Sequence, residues 1–136
     1  MTQETALNIL KTGANVFLTG EPGSGKSYTI KSYIDYLARN GVYASVTAST
    51  GIAATHIGGM TIHSWAGIGI KDSMTDYEIE ALHEKEYLVK RLQKAKVLII
   101  DEISMLPAKT LDMVNAVCKS IRGAEKPFGG LQVIFV

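Results

Sequence analysis

Apolar positions along the chain alternate between helical spacing and short continuous runs. Over residues 3–12, Ala6, Leu7 and Leu10 share one helical face, and Gly13 punctuates the end. Val16 to Thr19 is then a short apolar strand, followed by a glycine-rich turn. From Lys26 to Arg39 helical spacing returns, with Ile30, Tyr33, Ile34 and Leu37 on one side, and Asn40-Gly41 stops it. Val42 to Ala48 reads as a second strand, Thr50 to His56 as a short helix, and Ile57 to Ile70 as a glycine-rich loop. Val97 to Ile100 is a third, buried strand. Pro107 suits the first turn of a helix whose apolar stripe runs through Leu111, Val114, Val117 or Cys118, and Ile121. Leu131 to Val136 is a fourth strand. Continuous apolar strands alternating with helices predict an α/β fold, a parallel sheet covered by helices on both faces.

One segment departs from this alternation. Residues 71–88 hold six acids (Asp72, Asp76, Glu78, Glu80, Glu84, Glu86) against two lysines, and read as a solvated helical insertion. Residues 90–96 then hold four basic groups. The whole chain has 136 residues and a formal net charge of +1, which excludes a polybasic tail as the means of holding nucleic acid but leaves a local groove open. A hydrophobic fraction of 46% with 20% charged residues fits an ordinary globular domain. The longest strictly aliphatic run, Val97 to Ile100, is far too short to span a membrane, and residues 1–11 lack the pattern of a signal peptide. A single cysteine, Cys118, fits a reducing cytosolic or nuclear setting.

The string GEPGSGKS, Gly20 to Ser27, fits the phosphate-loop (Walker A) pattern G-x-x-x-x-G-K-[ST] at every fixed position, between a strand and a helix. Glycines let successive backbone N–H groups converge on phosphate oxygens, and the new helix presents its positive end to the same anion. Gly20, Glu21, Pro22, Gly23, Ser24, Gly25, Lys26, Ser27 and Tyr28 form the expected nucleotide-binding segment. Lys26 supplies a cation to the β- and γ-phosphates, and the Ser27 hydroxyl is a Mg²⁺ ligand. A dinucleotide fingerprint is disfavoured, because its third glycine would fall at Tyr28.

The run KVLIIDEISML, Lys96 to Leu106, is an apolar strand ending in two acids, as in a Walker B segment. Ligands of parallel sheets sit at the carboxyl ends of the strands, so Asp101 and Glu102 should face the phosphate loop's crevice. Asp101 would hold Mg²⁺, and Glu102 would polarise the attacking water as general base. A second acid directly after the aspartate suits an ATPase better than a phosphate-loop kinase. Gln3 lies seventeen positions before Gly20, and its amide can pair with the N6 and N7 edge of adenine. Thr47, Ser49 and Thr50 follow a strand at a helix start, where hydroxyls suit a phosphodiester backbone or, equally, a helix cap. His63 and Trp65 follow Gly58-Gly59 and could stack on a single strand.

Taken together, the segments TQETALNILKTGANVFLTGEPGSGKS, VTASTGIAATHIGGMTIHSWAGIG and VLIIDEISML resemble the opening motifs of the petite-integration-frequency (PIF) DNA helicases of superfamily 1B. The resemblance covers nearly the whole chain apart from the acidic insertion. It implies a RecA-like phosphate-loop ATPase fold, with ATP and Mg²⁺ as cofactors. It matches Gln3 to the adenine-reading glutamine, Lys26 and Ser27 to the phosphate and Mg²⁺ residues, and Asp101 and Glu102 to the metal-holding and water-activating acids. Thr47, Ser49, Thr50, His63 and Trp65 fall in segments that line the single-stranded DNA path of such helicases. The implied activity is ATP-driven 5′ to 3′ translocation on single-stranded DNA with unwinding of duplexes, junctions and G-quadruplexes, in repair, recombination and telomere maintenance, in a nucleoid or a nucleus.

The family pattern continues past an LQVIFV-like strand into a GD-x-x-Q-L-P-P segment and a second RecA-like lobe carrying an arginine finger. The expectation is therefore that residues 1–136 are part of an N-terminal lobe, incomplete at its carboxyl end, which alone neither unwinds DNA nor hydrolyses ATP at a helicase rate. Leu131 to Val136 should then insert between the acidic strand and Val16 to Thr19, leaving the latter an exposed edge. Two other readings stay open from the residues: a stand-alone nucleotide-dependent DNA-binding module and a chaperone-type phosphate-loop ATPase.

Overall fold

The computed structural model describes residues 2–21, 23 and 25–136; Met1, Pro22 and Ser24 lie outside it. The first helix, α1 (Gln3–Lys11), opens on a Thr2 cap whose hydroxyl accepts the Thr5 N–H at 3.1 Å. The strand β1 is shorter than expected, Val16–Phe17, and α2 (Lys26–Arg39) follows the phosphate loop. The predicted stop of α2 is a Schellman turn. Gly41 at φ 76° donates to the Ala38 carbonyl, and Val42 to that of Leu37. This turn uses residues that the sequence assigns to the next strand, so β2 is Ser45–Ala48 rather than starting at Val42.

The short helix α3 (Gly51–His56) forms behind a Thr50 cap. The stretch Ile57 to Ile70, read as loop, instead contains β3 (Met60–Thr61) and α4 (Ile62–Ala66). A two-residue strand is too short to leave a period in the sequence. Its pairing depends on Gly59, where any Cβ would lie 2.3 Å from the Val46 carbonyl oxygen of β2.

The acidic segment is not solvated throughout. It folds as α5 (Asp76–Ala81), a 3₁₀ turn over Leu82–Glu84 and the start of α6 (Glu86–Lys94). Thr75 and Glu78 form a reciprocal capping box, and Lys71 pairs with Glu78, which holds that carboxyl below its usual range. The acids face water, while Leu82 and Leu88 are buried and Met74 and Ile79 pack on the same cluster. These contacts make the segment an amphipathic layer rather than a fully solvated helical insertion.

The remaining elements are β4 (Val97–Asp101), α7 (Ala108–Arg122) and β5 (Gln132–Phe135). Pro107 caps α7 rather than sitting inside it. Among the described residues the sheet has five parallel strands in the order β1-β5-β4-β2-β3. The last strand thus enters between the phosphate-loop strand and the acidic strand, as expected, and β1 lies at the edge.

The strand β4 alternates between two cores. Val97 and Ile99 face Leu10 of α1 and Tyr33 and Leu37 of α2. Leu98 and Ile100 face α4, α6 and α7 through Ile62, Leu92, Val114 and Val117. Complete burial on both faces is what a central parallel strand requires, and explains its unbroken apolar run. Side-chain bonds staple the layers. Gln132 of β5 accepts from the Tyr33 hydroxyl at 2.7 Å and donates to the Leu10 and Ala14 carbonyls. Arg122 donates to the Leu92 and Ala95 carbonyls at the end of α6.

Candidate active site

Because all strands are parallel, their carboxyl ends share one edge of the sheet, and the loops carrying the candidate residues leave from that edge. The phosphate loop leaves β1, and Asp101 and Glu102 end or follow β4. The two meet across an open cleft of about 650 Å³ lined by Gly20, Gly23, Gly25, Lys26, Ser27, Asp101 and Glu102, among others. Gly23 (φ 84°) and Gly25 (φ 92°) take left-handed backbone angles, which is why glycine occupies both. Gly25 caps α2, its carbonyl accepting from the Thr29 N–H at 3.0 Å and the Thr29 hydroxyl at 3.1 Å. Lys26 and Ser27 therefore occupy the first turn of α2, at its positive end. Glu21 lines the cleft and is exposed. Tyr28 is 65% exposed and is not among the cleft-lining residues. The expectations for Pro22 and Ser24 fall outside the described residues.

A second recess of about 330 Å³ adjoins the first, sharing Gly25 and Lys26 and bounded by Thr2 and Gln3. The Gln3 amide lies over Gly25: a Cβ at that glycine would stand 1.8 Å from Gln3 Nε2. Glycine at 25 thus serves both the loop's backbone and the seat of the glutamine. Gln3 is exposed, with its amide at the mouth of the phosphate site.

The turn after β4 is the most constrained part of the site. Glu102 adopts φ 55° and ψ 45°, a left-handed conformation that glutamate rarely takes. Its N–H donates to Asp101 Oδ1 at 3.0 Å, and its carbonyl accepts from the Ser49 hydroxyl at 2.7 Å. On either side, the Ser49 N–H donates to the Asp101 carbonyl at 3.1 Å and the Ile103 N–H to the Val136 carbonyl at 2.9 Å. Strained angles persist where the surroundings over-determine them, and they concentrate at functional sites. The Glu102 side chain is exposed to the cleft. The Ser27 hydroxyl and Asp101 carboxylate line the same cleft, a hard-oxygen donor set that fits Mg²⁺.

The residues expected on a DNA strand divide into two groups. Thr50 and His63 follow β2 and β3 on the same sheet edge as the cleft and are partly exposed; the Thr50 hydroxyl also caps α3, accepting from Ala53 N–H at 3.2 Å. The other three are turned to the interior. Thr47 is fully buried and donates to the Ile99 carbonyl at 2.7 Å, so it stitches β2 to β4. Ser49 is 7% exposed and committed to Glu102. Trp65 is 2% exposed in the α4–α6–α7 core, so it offers no stacking face to a strand. Burial on this scale turns the side chains of Thr47, Ser49 and Trp65 inward in this structure, away from the face expected to meet DNA. An aromatic beside a glycine pair looks the same in sequence whether it stacks on a base or fills a core. Sequence reading also missed Ile103 and Ser104 in the cleft wall and the Ser49 tether. Adjacency to the two acids was the available signal for the first pair; no signal in the sequence pairs residue 49 with residue 102.

Comparison with known proteins gives consistent matches. A family model described as PIF1-like helicase matches residues 2–136. The ATP-dependent DNA helicase Pif1 of Psychrobacter sp. (strain PRwf-1) is 60% identical over 134 residues, covering 98% of this chain and 20% of that protein. The crystal structure of Pif1 helicase from Candida albicans superposes with a TM-score of 0.90 at 38% identity, over 98% of this chain and 31% of that one. Pif1 helicase from Bacteroides, in complex with ADP-AlF3 and ssDNA, superposes at TM-score 0.81 and 38% identity, over 98% of this chain and 30% of that one. The chain spans about a fifth of the length of curated Pif1 relatives such as those of Psychrobacter sp. and Danio rerio.

Proposed function

The chain belongs to the PIF1-like helicase family, and from that premise we propose that it is the ATP-binding lobe of an ATP-dependent DNA helicase. In this reading residues 1–136 are part of an N-terminal RecA-like domain whose parent couples ATP hydrolysis to movement on single-stranded DNA. The observation that carries it is the meeting of Lys26 and Ser27 with Asp101 and Glu102 across one cleft, on the edge that also bears Thr50 and His63.

The residues divide the work as follows. Backbone N–H groups of the phosphate loop and the first turn of α2 bind the phosphates, and Lys26 neutralises charge on the transferring γ-phosphoryl. Gln3, held over Gly25, reads the adenine edge from the adjoining recess. Ser27 and Asp101 would hold Mg²⁺, which when bound offsets charge on the β- and γ-phosphate oxygens. Glu102 orients a water for in-line attack and takes its proton. Phosphoryl transfer leaves little covalent work for the protein, so positioning and electrostatics account for most of the rate. A second lobe closing over the exposed cleft would exclude water and complete the charge on the far side.

The bound ADP-AlF3 and ssDNA of the Bacteroides relative support a nucleotide and a single strand as ligands of this chain. A 5′ to 3′ direction, action on junctions and a nucleoid or nuclear location follow from the family reading. The test is the ATPase rate of the full-length protein with and without single-stranded DNA. Strong stimulation is expected. A rate indifferent to the strand would withdraw the helicase reading in favour of a phosphate-loop ATPase with another client.

A further inference from the structure

We propose that Ser49 is a positioning residue for the hydrolytic carboxylate, holding Glu102 in its left-handed backbone conformation and linking it to the strand-facing segment that starts at Thr50. The inference rests on the helicase reading above and assigns a role inside it.

Four observations converge on Ser49. Its hydroxyl donates to the Glu102 carbonyl at 2.7 Å. Its N–H donates to the Asp101 carbonyl at 3.1 Å, so both donors of one residue hold the backbone carbonyls of the two acids. It is 7% exposed, in a site where a side-chain donor is not exchanged freely for water. The next residue, Thr50, caps α3 with its side chain and accepts the Ala54 N–H with its carbonyl, so Ser49 and α3 move together.

The topology explains why this contact bridges two functions. The strand β4 lies between β5 and β2, with the phosphate-loop strand β1 beyond β5 and β3 beyond β2. The Glu102 turn therefore stands at the boundary between the nucleotide half of the edge and the half carrying Thr50 and His63. From the nucleotide half it is held by Asp101 Oδ1 and by the Val136 carbonyl. From the other half, among the described residues, its own carbonyl is held by Ser49. A left-handed glutamate has an extended alternative that costs less, and the Ser49 bond selects against it. A strand pressing on Thr50 moves the Ser49 hydroxyl, and with it the direction in which the Glu102 side chain leaves the backbone. A misplacement of about 1 Å at a catalytic group is enough to change the rate by on the order of 10²-fold.

The test uses the full-length protein and steady-state ATPase kinetics of Ser49→Ala and Ser49→Cys. At saturating single-stranded DNA, kcat of Ser49→Ala should fall about tenfold, the effect of one lost hydrogen bond in the transition state. The DNA-free rate should fall less, so the stimulation ratio shrinks. KM for ATP and Kd for the strand should stay within about twofold, because Ser49 touches neither ligand. The cysteine variant, a weaker donor of similar size, should lie between; if the alanine variant fails to fold, the same kcat-against-KM split in Ser49→Cys decides. An unchanged kcat, a loss confined to KM, or an equal fractional loss with and without DNA would overturn the proposal. A wild-type ATPase indifferent to DNA is a separate failure, of the helicase reading itself, and is visible before any variant is made.

Discussion

Replacing Glu102 along the series Gly, Asn, Gln, Val should grade stability through backbone geometry almost alone. The residue has φ 55° and ψ 45°, its side chain is exposed, and its bonds to Asp101 and Ser49 use only its backbone. Truncation therefore removes little buried surface. A non-glycine residue in this region costs roughly 1–2 kcal/mol, and asparagine less, because its short side chain bonds locally. Glycine removes that strain but adds about 0.5–1 kcal/mol of unfolded-state entropy. The glycine variant should thus exceed the glutamine variant by up to ~1 kcal/mol. Valine, branched at Cβ, should fall below glutamine by on the order of 1 kcal/mol. With a urea slope of about 2 kcal/mol per molar, the spread from glycine to valine is about 1 M in midpoint. Fluorescence of Trp65, the single tryptophan of this chain and 2% exposed, reports the transition. A glycine variant less stable than glutamine, or a valine variant above it, would refute the strain. None of the four should hydrolyse ATP, so the most stable variant is also inactive. The wild-type glutamate then represents stability given up for a correctly aimed carboxylate.

Further expectations concern the same site and the core behind it. Lys26→Ala should abolish nucleotide binding or turnover in the full-length protein, whereas Glu102→Gln should bind nucleotide normally and fail to hydrolyse it; normal turnover in the second variant would remove the assigned base. Trp65→Phe should leave the Kd for single-stranded DNA unchanged, measured by fluorescence anisotropy of a labelled strand, while Trp65→Ala should cost ~3–5 kcal/mol in urea unfolding. Its Nε1 is buried without a partner among the described residues, so the phenylalanine variant loses packing but no hydrogen bond. Burial pushes the Cys118 thiol up to about 12 despite the nearby Arg122 charge. The neutral thiol is thus favoured in the folded state, and the unfolded thiol releases its proton first, near 9. The contribution of Cys118 should be flat below pH 9 and then fall by about 1.4 kcal/mol per unit up to about 12. Urea midpoints of wild type against Cys118→Ala across pH 8–10.5 isolate this slope, and equal slopes would refute it.

How far the sequence reached depends on the range of the forces at each position. The helix α2 and the stop at Asn40-Gly41 are local, set within a few residues, and were legible in full, and the cap at Thr50 was legible as one of two roles. The phosphate-loop and two-acid motifs were legible because few residue types suit the anion and the metal proposed for them, and the structure brings both motifs to one cleft. The edge strand β3 and the packing of α5 were not, since both depend on surfaces supplied by distant parts of the chain. Met60 and Thr61 become a strand only because β2 offers an unpaired edge and Gly59 allows the approach. Leu82 and Leu88 read as sparse apolar residues in an acidic segment until α7 gives them a wall. The same limit accounts for Thr47 and Trp65, whose side chains suit either a nucleic acid or a core.

By itself the sequence determined the parallel α/β architecture and the residues proposed to meet a nucleotide, while the insertion of the last strand beside the first came from the family resemblance. The architecture and the candidate residues follow from periodicity, from turn chemistry and from the few residue types that can hold phosphate and a divalent cation. Only the tertiary structure decided which hydroxyls face outward and which are spent inside. It put Ser49 on the Glu102 carbonyl and Thr47 on Ile99 because adjacent parallel strands bring residues some fifty positions apart into register. Register across a sheet is a long-range choice, made by the packing of both faces at once, and no single segment contains it.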